Sequence, residues 1–415
     1  MVRRMGGLGL VLAVAACSGS GGPDGGGPKA RATAVSVAPS ASSSARPALT
    51  RERSRFGAVK EIALGGANLC VVLLDDQVQC VGEWPLEFET PTSSGGKNQY
   101  LYEPITVKDA KGAHGLVIET NRGCGIMPDA TVRCWGNTTA SDKMWSGAKE
   151  NELVAVPQPG IDHVTQIALT WKESCALRDD GSTVCWGPKL LPDDRKSFPS
   201  SAPDGITNAK RIAGAYLHFC AITSRGTVSC WGEGSAGTGM DVVHEYAAHP
   251  IDGVSSAVDL SVGSTHSCAL TASGEVYCWG ANAGGELGVG KPSTRERLVK
   301  VPGLDATAVA ASPGTAATCA IRRDGSVACW GADFNCDIGD AHSGACQKVE
   351  HMSTFGRSES ELCASPQPVA MEGAFVPERL SFGSSTVCAK DAGGALRCWG
   401  RSLFGEAGSC TGRAP

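Results

Sequence analysis

The sequence predicts an all-β protein assembled from seven copies of one disulfide-closed hairpin. Two cysteines lie ten positions apart seven times along the chain, and six of these pairs end in the tripeptide C-W-G. Repetition of this kind is typical of an architecture in which each copy packs against its neighbours. The pairs are Cys70 with Cys80, Cys124 with Cys134, Cys175 with Cys185, Cys220 with Cys230, Cys268 with Cys278, Cys319 with Cys329, and Cys388 with Cys398.

The first 17 residues are typical of a bacterial lipoprotein signal. Arg3 and Arg4 precede an apolar stretch at residues 8–16, and small residues lead directly to Cys17. We expect Cys17 to carry the lipid and to begin the mature chain; the alternative is an ordinary signal peptide with an incidental cysteine. Ser18, rather than an acidic residue, follows Cys17, which resembles the sorting signal of outer-membrane lipoproteins in some Gram-negative bacteria. We therefore expect a bacterial cell-envelope protein that a lipid anchors in the outer membrane.

Residues 18–50 predict a disordered linker. Gly, Pro, Ser and Ala fill 24 of these 33 positions, and no aromatic residue occurs. A flexible coil of this length spans on the order of 30 Å, enough to lift a domain clear of the lipid headgroups. Residues 51–415 hold no apolar run of the roughly 20 residues that a membrane-spanning helix needs.

Charge argues against nucleic acid as a partner. The chain carries a net charge of −5, and residues 1–50 contribute +4, so residues 51–415 carry −9. Binding to phosphate backbones requires clustered Lys and Arg. With 42% hydrophobic and 19% charged residues, the chain has ample material for a core.

The spacing of each cysteine pair fits a hairpin with a three-residue loop. Such loops place a left-handed residue third, usually glycine. Five copies have glycine there, at Gly181, Gly226, Gly274, Gly325 and Gly394, whereas Asp76 and Ala130 in the first two predict distorted turns. The cysteines then fall on a non-hydrogen-bonded pair, where Cα atoms lie about 4.5 Å apart, near the lower limit for a disulfide.

A zinc site is the alternative reading of repeated cysteines. Zinc sites favour two to four intervening residues, so a spacing of nine in an exported chain favours disulfides instead. The residues two positions inward from the cysteines, on both strands of each hairpin, are mostly Val, Ile and Leu. They lie on the same side of the hairpin as the disulfide, so this side is predicted to be buried. Thr183 and Lys390 break this pattern in the third and seventh copies.

The fifth copy resembles a known repeat family. From Gly263 to Gly288 it reads G-x-x-H-x-C-A-L-x-x-x-G-x-V-x-C-W-G-x-N-x-x-G-x-L-G, which resembles the repeat of the regulator of chromosome condensation family. Weaker versions follow Trp231, Trp330 and Trp399, and the resemblance covers residues 57–410. Seven copies imply that family's seven-bladed β-propeller, with one four-stranded sheet per blade. The sequence leaves open how the ring closes.

Four cysteines remain after the seven pairs and the lipid anchor. They are Cys336, Cys346, Cys363 and Cys410, and they allow three pairings. Because Cys336 and Cys346 again lie ten apart, we favour Cys336 with Cys346 and Cys363 with Cys410. Segment 332–375 is the longest departure from the repeat, so it is a candidate partner-binding element; a tolerated insertion that binds nothing is the alternative.

Exposed aromatic residues are the other candidates for partner binding. Trp171 stands where the fifth copy has Ser264, and further aromatics lie in variable segments, at Trp84, Tyr100, Tyr102 and Trp145. Local packing is the alternative for each of them. Residues 333–340 alternate oxygen ligands like a calcium loop, but they align with an ordinary repeat loop, so we expect no metal and no cofactor.

The sequence gives little support for catalysis. His218 and His266 occupy the same repeat position, which marks them as framework, and no nucleophile elbow or phosphate-binding loop occurs. We therefore expect a monomeric, non-catalytic, surface-anchored module that holds a protein or glycan partner. The alternatives are a regulator of a GTPase, acting as a guanine nucleotide exchange factor, and an envelope polysaccharide hydrolase or lyase with channel carboxylates.

Overall fold

The protein is described by a computed structural model for residues 56–84, 99–136, 152–171, 173–187, 200–201, 206, 208–232, 245–333, 347–353, 356–369, 375–384 and 386–400. The chain divides into two units, Met1–Arg46 and Pro47–Pro415, and every described residue lies in the second. Cys17, the linker, Trp145, Cys336, Cys346 and Cys410 lie outside the described residues. Within the described ranges, no helix long and apolar enough to cross a bilayer occurs.

The described residues form seven antiparallel sheets in chain order. Sheet 1 holds β1 (Val59–Gly65), β2 (Asn68–Leu73), β3 (Val78–Trp84) and β4 (Gln99–Thr106). Sheet 2 holds β5 (His114–Glu119), β6 (Arg122–Ile126), β7 (Val132–Gly136) and β8 (Val156–Pro157). Sheet 3 holds β9 (Val164–Leu169), β10 (Ser174–Arg178), β11 (Thr183–Trp186) and β12 (Ser200–Ser201).

The later sheets repeat this order and then vary it. Sheet 4 holds β13 (Ala209–Ala215), β14 (His218–Thr223), β15 (Val228–Gly232) and β16 (Glu245–Ile251). Sheet 5 holds β17 (Ala257–Val262), β18 (His266–Thr271), β19 (Val276–Asn282) and β20 (Ser293–Lys300). Sheet 6 holds β21 (Ala306–Ala311), β22 (Ala317–Arg322), β23 (Val327–Asp333), β24 (Gln347–Ser353) and β25 (Gly356–Val369). Sheet 7 holds β26 (Pro377–Phe382), β27 (Thr386–Asp391) and β28 (Leu396–Gly400).

The seven predicted hairpin disulfides are confirmed. In each sheet the second and third strands place the two cysteines directly opposite one another, with Cα atoms 4.0–4.1 Å apart. The loops have the expected hydrogen bonds: in sheet 5, Gly274 N donates to Thr271 O at 3.0 Å, and Thr271 N donates to Glu275 O at 2.9 Å. The spacing of ten therefore fixes the register of each hairpin.

The expectation that the first two turns are distorted is wrong. Asp76 and Ala130 adopt the left-handed conformation, with φ of 67° and 62°, as the glycines of the other copies do. Their N–H groups donate to Leu73 O and Met127 O at 3.1 and 2.9 Å. The disulfide and the strand pairing on both sides hold these residues in the turn, at a cost of about 1–2 kcal/mol for a non-glycine residue.

The face inside each cysteine pair is buried as predicted, and the two exceptions, Thr183 and Lys390, lie on it as well. Thr183 is buried, and so is most of Lys390. The Lys390 ammonium reaches Glu378 Oε2 at 3.3 Å and Asp391 O at 3.0 Å, so its charge is compensated. A long side chain can bury its stem in this way while its charged end meets a partner.

The ring closes through contact between the first and last sheets. Each first strand packs against the first strand of the next sheet, from β1 through β5, β9, β13, β17 and β21 to β26, and β26 packs against β1. Ser381 Oγ of sheet 7 accepts a hydrogen bond from Leu64 N at 2.8 Å. Ser261 Oγ of sheet 5 accepts the equivalent bond from Ala311 N of sheet 6, also at 2.8 Å. Closure therefore uses the same contact as an internal junction.

Part of segment 332–375 forms a hairpin at the outer edge of sheet 6. Strand β25 pairs first with β24, from Ser353 opposite Gly356 to Gln347 opposite Leu362. It then pairs with β23, where Cys363 lies opposite Gly331. Only this sheet has five strands among those described. The pairing of the four remaining cysteines stays a prediction.

Candidate functional site

The two ends of the ring carry different loops. In every sheet the turn between the first and second strands lies at one end, which we call the turn face, and the disulfide hairpin loop lies at the other, which we call the hairpin face. A cavity of about 410 Å³ lies between the first strands, and residues of β1, β5, β13, β17, β21 and β26 line it. This cavity is the central channel.

Two exposed aromatic side chains stack on the turn face. Trp171 lies in the first turn of sheet 3 and Tyr216 in that of sheet 4, with 56% and 42% of their surfaces exposed. Their ring centroids are 6.4 Å apart, and the ring planes differ by 5°. The backbone joins them as well, because Trp171 N donates to Tyr216 O at 2.7 Å. We call Trp171 and Tyr216 the aromatic pair.

The aromatic pair breaks the repeat. Both residues stand four positions before the first cysteine of their hairpin. The other sheets have small residues at this position: Gly66, Thr120, Ser264, Thr315 and Ser384. Large exposed aromatics at two adjacent copies are the kind of departure from a repeat that marks an interaction surface.

A buried arginine holds the turn of Trp171. Arg122 of sheet 2 donates from Nη2 to Thr170 O at 2.6 Å and to Glu173 O at 3.1 Å. Thr170 Oγ1 also accepts a hydrogen bond from Glu173 N at 3.0 Å, which closes the turn. Burial lowers the pKa of Arg122 to about 10, and Glu119 opposes this shift. Arg122 therefore remains a cation at neutral pH.

A buried carboxyl group lies below the turn of Tyr216. Glu119 is only 6% exposed, and the backbone of Tyr216 lies close enough to its carboxyl group to lower the pKa of that group. Burial raises the pKa of Glu119 to about 7, although Arg122 and Thr120 lower it. Glu119 and Arg122 thus connect sheet 2 to both turns of the aromatic pair, and they fix its geometry before any partner arrives.

Tyr216 has an unfavourable backbone conformation. Its φ is +51°, in the left-handed region, where a bulky side chain is uncommon. Gly66 occupies the same position in sheet 1 with a φ of +57°, so the turn itself suits glycine. Thr120 of sheet 2 adopts the same conformation, with a φ of +53°, so this turn imposes it on the residue that stands there.

The structure separates the five predicted aromatic residues. Trp171 is exposed, which favours the anchor over the packed alternative, whereas Trp84 is fully buried in a cluster between sheets 1 and 2. Its indole N–H donates to Val81 O at 3.2 Å. The prediction of Trp84 as a binding residue is therefore wrong, because it packs against the second sheet. Tyr100 and Tyr102 lie on the outer strand β4, away from Trp171 in the chain's sheet order.

Sequence reasoning missed Tyr216, Glu119 and Arg122. An alignment of the seven copies, position by position, would have pointed to two of them. Tyr216 shares the column of Trp171, and Arg122 shares the column of His218 and His266, two positions before the first cysteine. Glu119 has no such signal, because its role depends on contacts across sheets.

The framework interpretation of the two histidines agrees with their contacts. His218 Nε2 lies 2.8 Å from Ser267 Oγ of sheet 5, and His266 Nε2 lies 2.8 Å from Thr318 Oγ1 of sheet 6. Asn68 makes the equivalent contact from sheet 1 to sheet 2, where its Nδ2 donates to Thr120 O at 2.5 Å. This column therefore fastens each of these sheets to the next.

Carboxylates on the first strands of the sheets are engaged in structural contacts. Glu61 accepts hydrogen bonds from Gly115 N and Leu116 N at 3.0 and 2.5 Å. Asp259 pairs with Arg211 at 2.6 Å, and burial raises the pKa of Asp259 while Arg211 opposes the shift. Within the described residues, no three acidic, histidine or cysteine side chains form a group fit for a metal ion. Most of the calcium-like stretch lies outside these residues.

Comparison with known proteins agrees with the repeat and the fold. Residues 257–286 match the family model of the Regulator of chromosome condensation (RCC1) repeat. No curated protein matches the chain. Yeast RCC1, solved bound to Kap60, is 17% identical with a TM-score of 0.59, over 79% of this chain and 78% of that one.

Two further solved structures have the same fold. Human WBSCR16 is 17% identical with a TM-score of 0.61, over 82% of this chain and 91% of that one. The ectodomain of the receptor kinase CR4 from the moss Physcomitrella patens is 19% identical with a TM-score of 0.50, over 83% and 74% of the two chains. The chain is thus a seven-bladed propeller of RCC1-type repeats.

Proposed function

We propose that this RCC1-type propeller is a non-catalytic binding module, tethered by lipid on Cys17 to the bacterial cell envelope, that holds a protein or glycan partner on its turn face. The aromatic pair is the observation that carries the proposal. It combines large exposed rings, departure from the repeat, a strained tyrosine backbone and support from buried charged residues. Aromatic anchors held rigidly in place lose little conformational entropy when a partner binds.

The fold is suited to this task. The yeast RCC1 structure holds a bound protein, Kap60, so a propeller of this fold is compatible with a protein partner. The seven disulfides hold each hairpin closed, which favours stability outside the cell, where disulfides persist. In this proposal, a lipid on Cys17 holds the protein at a membrane surface, and a flexible linker of residues 18–50 gives the propeller freedom to reach a partner.

Cross-linking in the native envelope tests the binding face. Wild-type protein and Trp171→Ala are each cross-linked in cells, and the attached material is identified by mass spectrometry and by sugar analysis. We expect the amount of cross-linked partner to be at least about tenfold lower for Trp171→Ala than for the wild type, since an aromatic anchor contributes about 2 kcal/mol or more. Leu74→Ala is the matched control, because Leu74 is 63% exposed on the hairpin face.

Equal recovery of the partner by Trp171→Ala and Leu74→Ala contradicts the turn face as the binding surface. No enrichment over a control made of signal and linker alone contradicts the binding function itself.

Anchoring has its own test. We expect Cys17→Ala, or inhibition of lipoprotein signal cleavage by globomycin, to release the protein from the membrane fraction or to leave its signal uncleaved. Unchanged processing and membrane partition would reject the lipid anchor and leave the turn-face proposal untouched.

A further inference from the structure

The hairpin face carries a pocket of about 310 Å³ in sheet 5. It lies between the disulfide hairpin loop of this sheet and the connector, residues 252–256, that leads into β17. Its volume is at the small end of the range for ligand sites. The lining holds the carboxylate of Glu275 and the hydroxyl groups of five residues: Ser255, Ser256, Thr271, Ser273 and Tyr277. The pocket is therefore polar, and it opens at the end of the ring opposite to the aromatic pair.

Backbone hydrogen bonds show which residues of other sheets correspond to this pocket. In sheet 5 the hairpin loop joins the connector through Ala272 N, which donates to Ser256 O at 3.0 Å. In sheet 6 Arg323 N donates to Asp305 O at 2.9 Å. Arg323 and Asp305 are thus the counterparts of Ala272 and Ser256.

Polar side chains meet across this gap in sheets 3 and 6. Arg323 Nη2 lies 3.0 Å from Asp305 Oδ1 in sheet 6. In sheet 3, His163 Nδ1 lies 3.4 Å from Asp179 Oδ2, and these two residues are joined by the same backbone bond. Sheet 5 has serine and alanine at the two positions, and these side chains are too short to bridge loop and connector. The gap therefore stays open as a pocket.

Glu275 and Tyr277 are departures from the repeat beside this gap. The other copies have Gln, Thr, Ser or Ala in the column of Glu275, and none has an aromatic residue in that of Tyr277. Tyr277 packs against the apolar cluster between sheets 4 and 5, which holds its ring at the pocket. Lys300 Nζ donates a hydrogen bond to Glu275 Oε1, and this bond lowers the pKa of Glu275. Glu275 is therefore an ionised acceptor at neutral pH.

The hydroxyl groups of the pocket are loosely held. Ser273 Oγ and Tyr277 OH each donate to Glu275 Oε2 at 3.3 Å, which is long for two oxygens that usually lie about 2.7–2.8 Å apart. The hydroxyl groups of Ser255 and Ser256 make no hydrogen bond within the part of the chain that the structure describes. Donors and acceptors are thus available to a ligand that brings several hydroxyl groups of its own.

We propose that this pocket binds one neutral six-membered sugar ring, free or at the end of a glycan, whose hydroxyl groups bond to Glu275 and to the serine hydroxyls beside the Tyr277 ring. Hydrogen bonds to a carboxylate are stronger than those between neutral groups, so Glu275 is the main contact. The same charge disfavours an anionic ligand. This site lies away from the aromatic pair and does not depend on the function proposed for the turn face.

Saturation-transfer NMR titration of the full-length protein tests the site. The probes are glucose, galactose, mannose and N-acetylglucosamine, each as the free sugar and as its methyl glycoside, which stands in for the end of a glycan. We expect at least one sugar to bind; binding of the free sugar alone would identify a free monosaccharide as the ligand. Cyclohexanol has the same ring size with one hydroxyl group, and glucuronate carries a negative charge. Both are expected to bind at least about tenfold more weakly.

Glu275→Gln tests the main contact. It keeps the size of the side chain and removes its charge, so we expect sugar affinity to fall about tenfold. Lys300→Gln is the matched control, because it breaks the same ion pair and leaves the carboxylate in place. Its sugar affinity is expected to equal that of the wild type.

The pocket can also be closed with the pair that sheet 6 uses. The double change Ser256→Asp with Ala272→Arg is expected to abolish sugar binding. Asn208→Asp with Ser224→Arg is its matched control, because Ser224 N donates to Asn208 O at 2.8 Å in sheet 4, outside the pocket. Ser256 and Asn208 both have a left-handed backbone, with φ of 59° and 51°, so the two variants carry similar strain. Circular dichroism checks that both remain folded.

Four results would each overturn the proposal. They are absence of binding by every sugar, equal binding of cyclohexanol, unchanged affinity in the closed-pocket variant, and equal loss in Glu275→Gln and Lys300→Gln. Trp171→Ala is expected to leave sugar binding intact. Loss of sugar binding in Trp171→Ala, with the closed-pocket variant unaffected, would assign the sugar to the aromatic pair instead.

Discussion

Val59 N donates a hydrogen bond to Gly394 O at 2.9 Å, which joins the first strand of sheet 1 to the hairpin loop of sheet 7. The same bond recurs at internal junctions, from Ala257 N to Gly226 O at 3.0 Å and from Ala306 N to Gly274 O at 2.8 Å. The ring therefore closes with an ordinary junction, although its two sides lie at opposite ends of the propeller sequence. Among the described residues, the strands of sheet 1 and those of sheet 7 each come from one end of the propeller sequence.

Gly394→Ala should weaken this closing junction. Gly394 has a φ of +80°, and an added Cβ would lie 2.5 Å from Val59 O. We expect a loss of about 2–4 kcal/mol in the free energy of unfolding, from the left-handed strain of alanine together with the forced displacement of β1. Denaturant unfolding of the oxidised protein measures it.

Gly181→Ala separates these two causes. Gly181 has the same φ of +80°, but an added Cβ there would lie 3.1 Å from its nearest neighbour, Asn208 Cα. We expect it to cost about 1–2 kcal/mol, which is the strain alone. Equal costs in the two variants would mean that contact with Val59 is unimportant for closure.

Sequence reasoning reached the hairpins because their determinants are local. A spacing of ten between cysteines, with a loop residue between them, specifies register without reference to the rest of the chain. The junction between Val59 and Gly394 lay beyond such reasoning, because it depends on how seven sheets fit around one axis. The turns at Asp76 and Ala130 were misjudged for a related reason: the intrinsic preference of one residue is outweighed by the strands that it joins.

The candidate site was only partly accessible from the sequence. Trp171 was identified because it interrupts the repeat. Trp84 interrupts it too, yet it fills a gap at the junction with sheet 2, beside Gly136, whose added Cβ would lie 2.8 Å from the Trp84 ring. An interruption alone therefore does not distinguish an exposed anchor from a packed substitute. Glu119 acts through the backbone of Tyr216, and no local pattern contains that contact.

Removal of one hairpin disulfide should be costly. The double change Cys268→Ala with Cys278→Ala opens a closed loop of 11 residues, for which the chain-entropy model gives about 3 kcal/mol. We expect the free energy of unfolding to fall by about 2–4 kcal/mol, measured by urea unfolding without reductant. Added reductant should then lower the stability of this variant less than that of the wild type, because one bridge fewer remains to be lost.

Acid should destabilise the propeller through His218 and His266. Burial lowers their pKa values to about 3 and about 4, and the charge of His266 lowers that of His218 further. Both stay neutral when folded, whereas an unfolded histidine takes up a proton below its ordinary pKa of about 6.5. The stability that they contribute is present in full above pH 6.5. It is lost as the pH falls toward about 4 for His266 and about 3 for His218, by on the order of a few kcal/mol.

The double change His218→Asn with His266→Asn tests this pH dependence. Asparagine occurs naturally in this column at Asn68, where it fastens sheet 1 to sheet 2. We expect the melting temperature of the variant to fall less steeply between pH 6.5 and pH 4 than that of the wild type. His114→Asn changes an exposed histidine and should leave the wild-type slope intact. Parallel slopes in all three proteins would assign acid sensitivity to other groups.

Tyr216→Gly should separate folding from binding. Glycine relieves the left-handed strain at φ +51°, and it forfeits the contact between the Tyr216 ring and Trp171. These effects are each about 1 kcal/mol and opposite in sign, so we expect the free energy of unfolding to change by less than about 1 kcal/mol. Recovery of the envelope partner should nevertheless fall as far as it does in Trp171→Ala. A marked loss of stability with partner recovery unchanged would show that Tyr216 serves the fold, because a ring kept for binding at a strained position contributes little to folding.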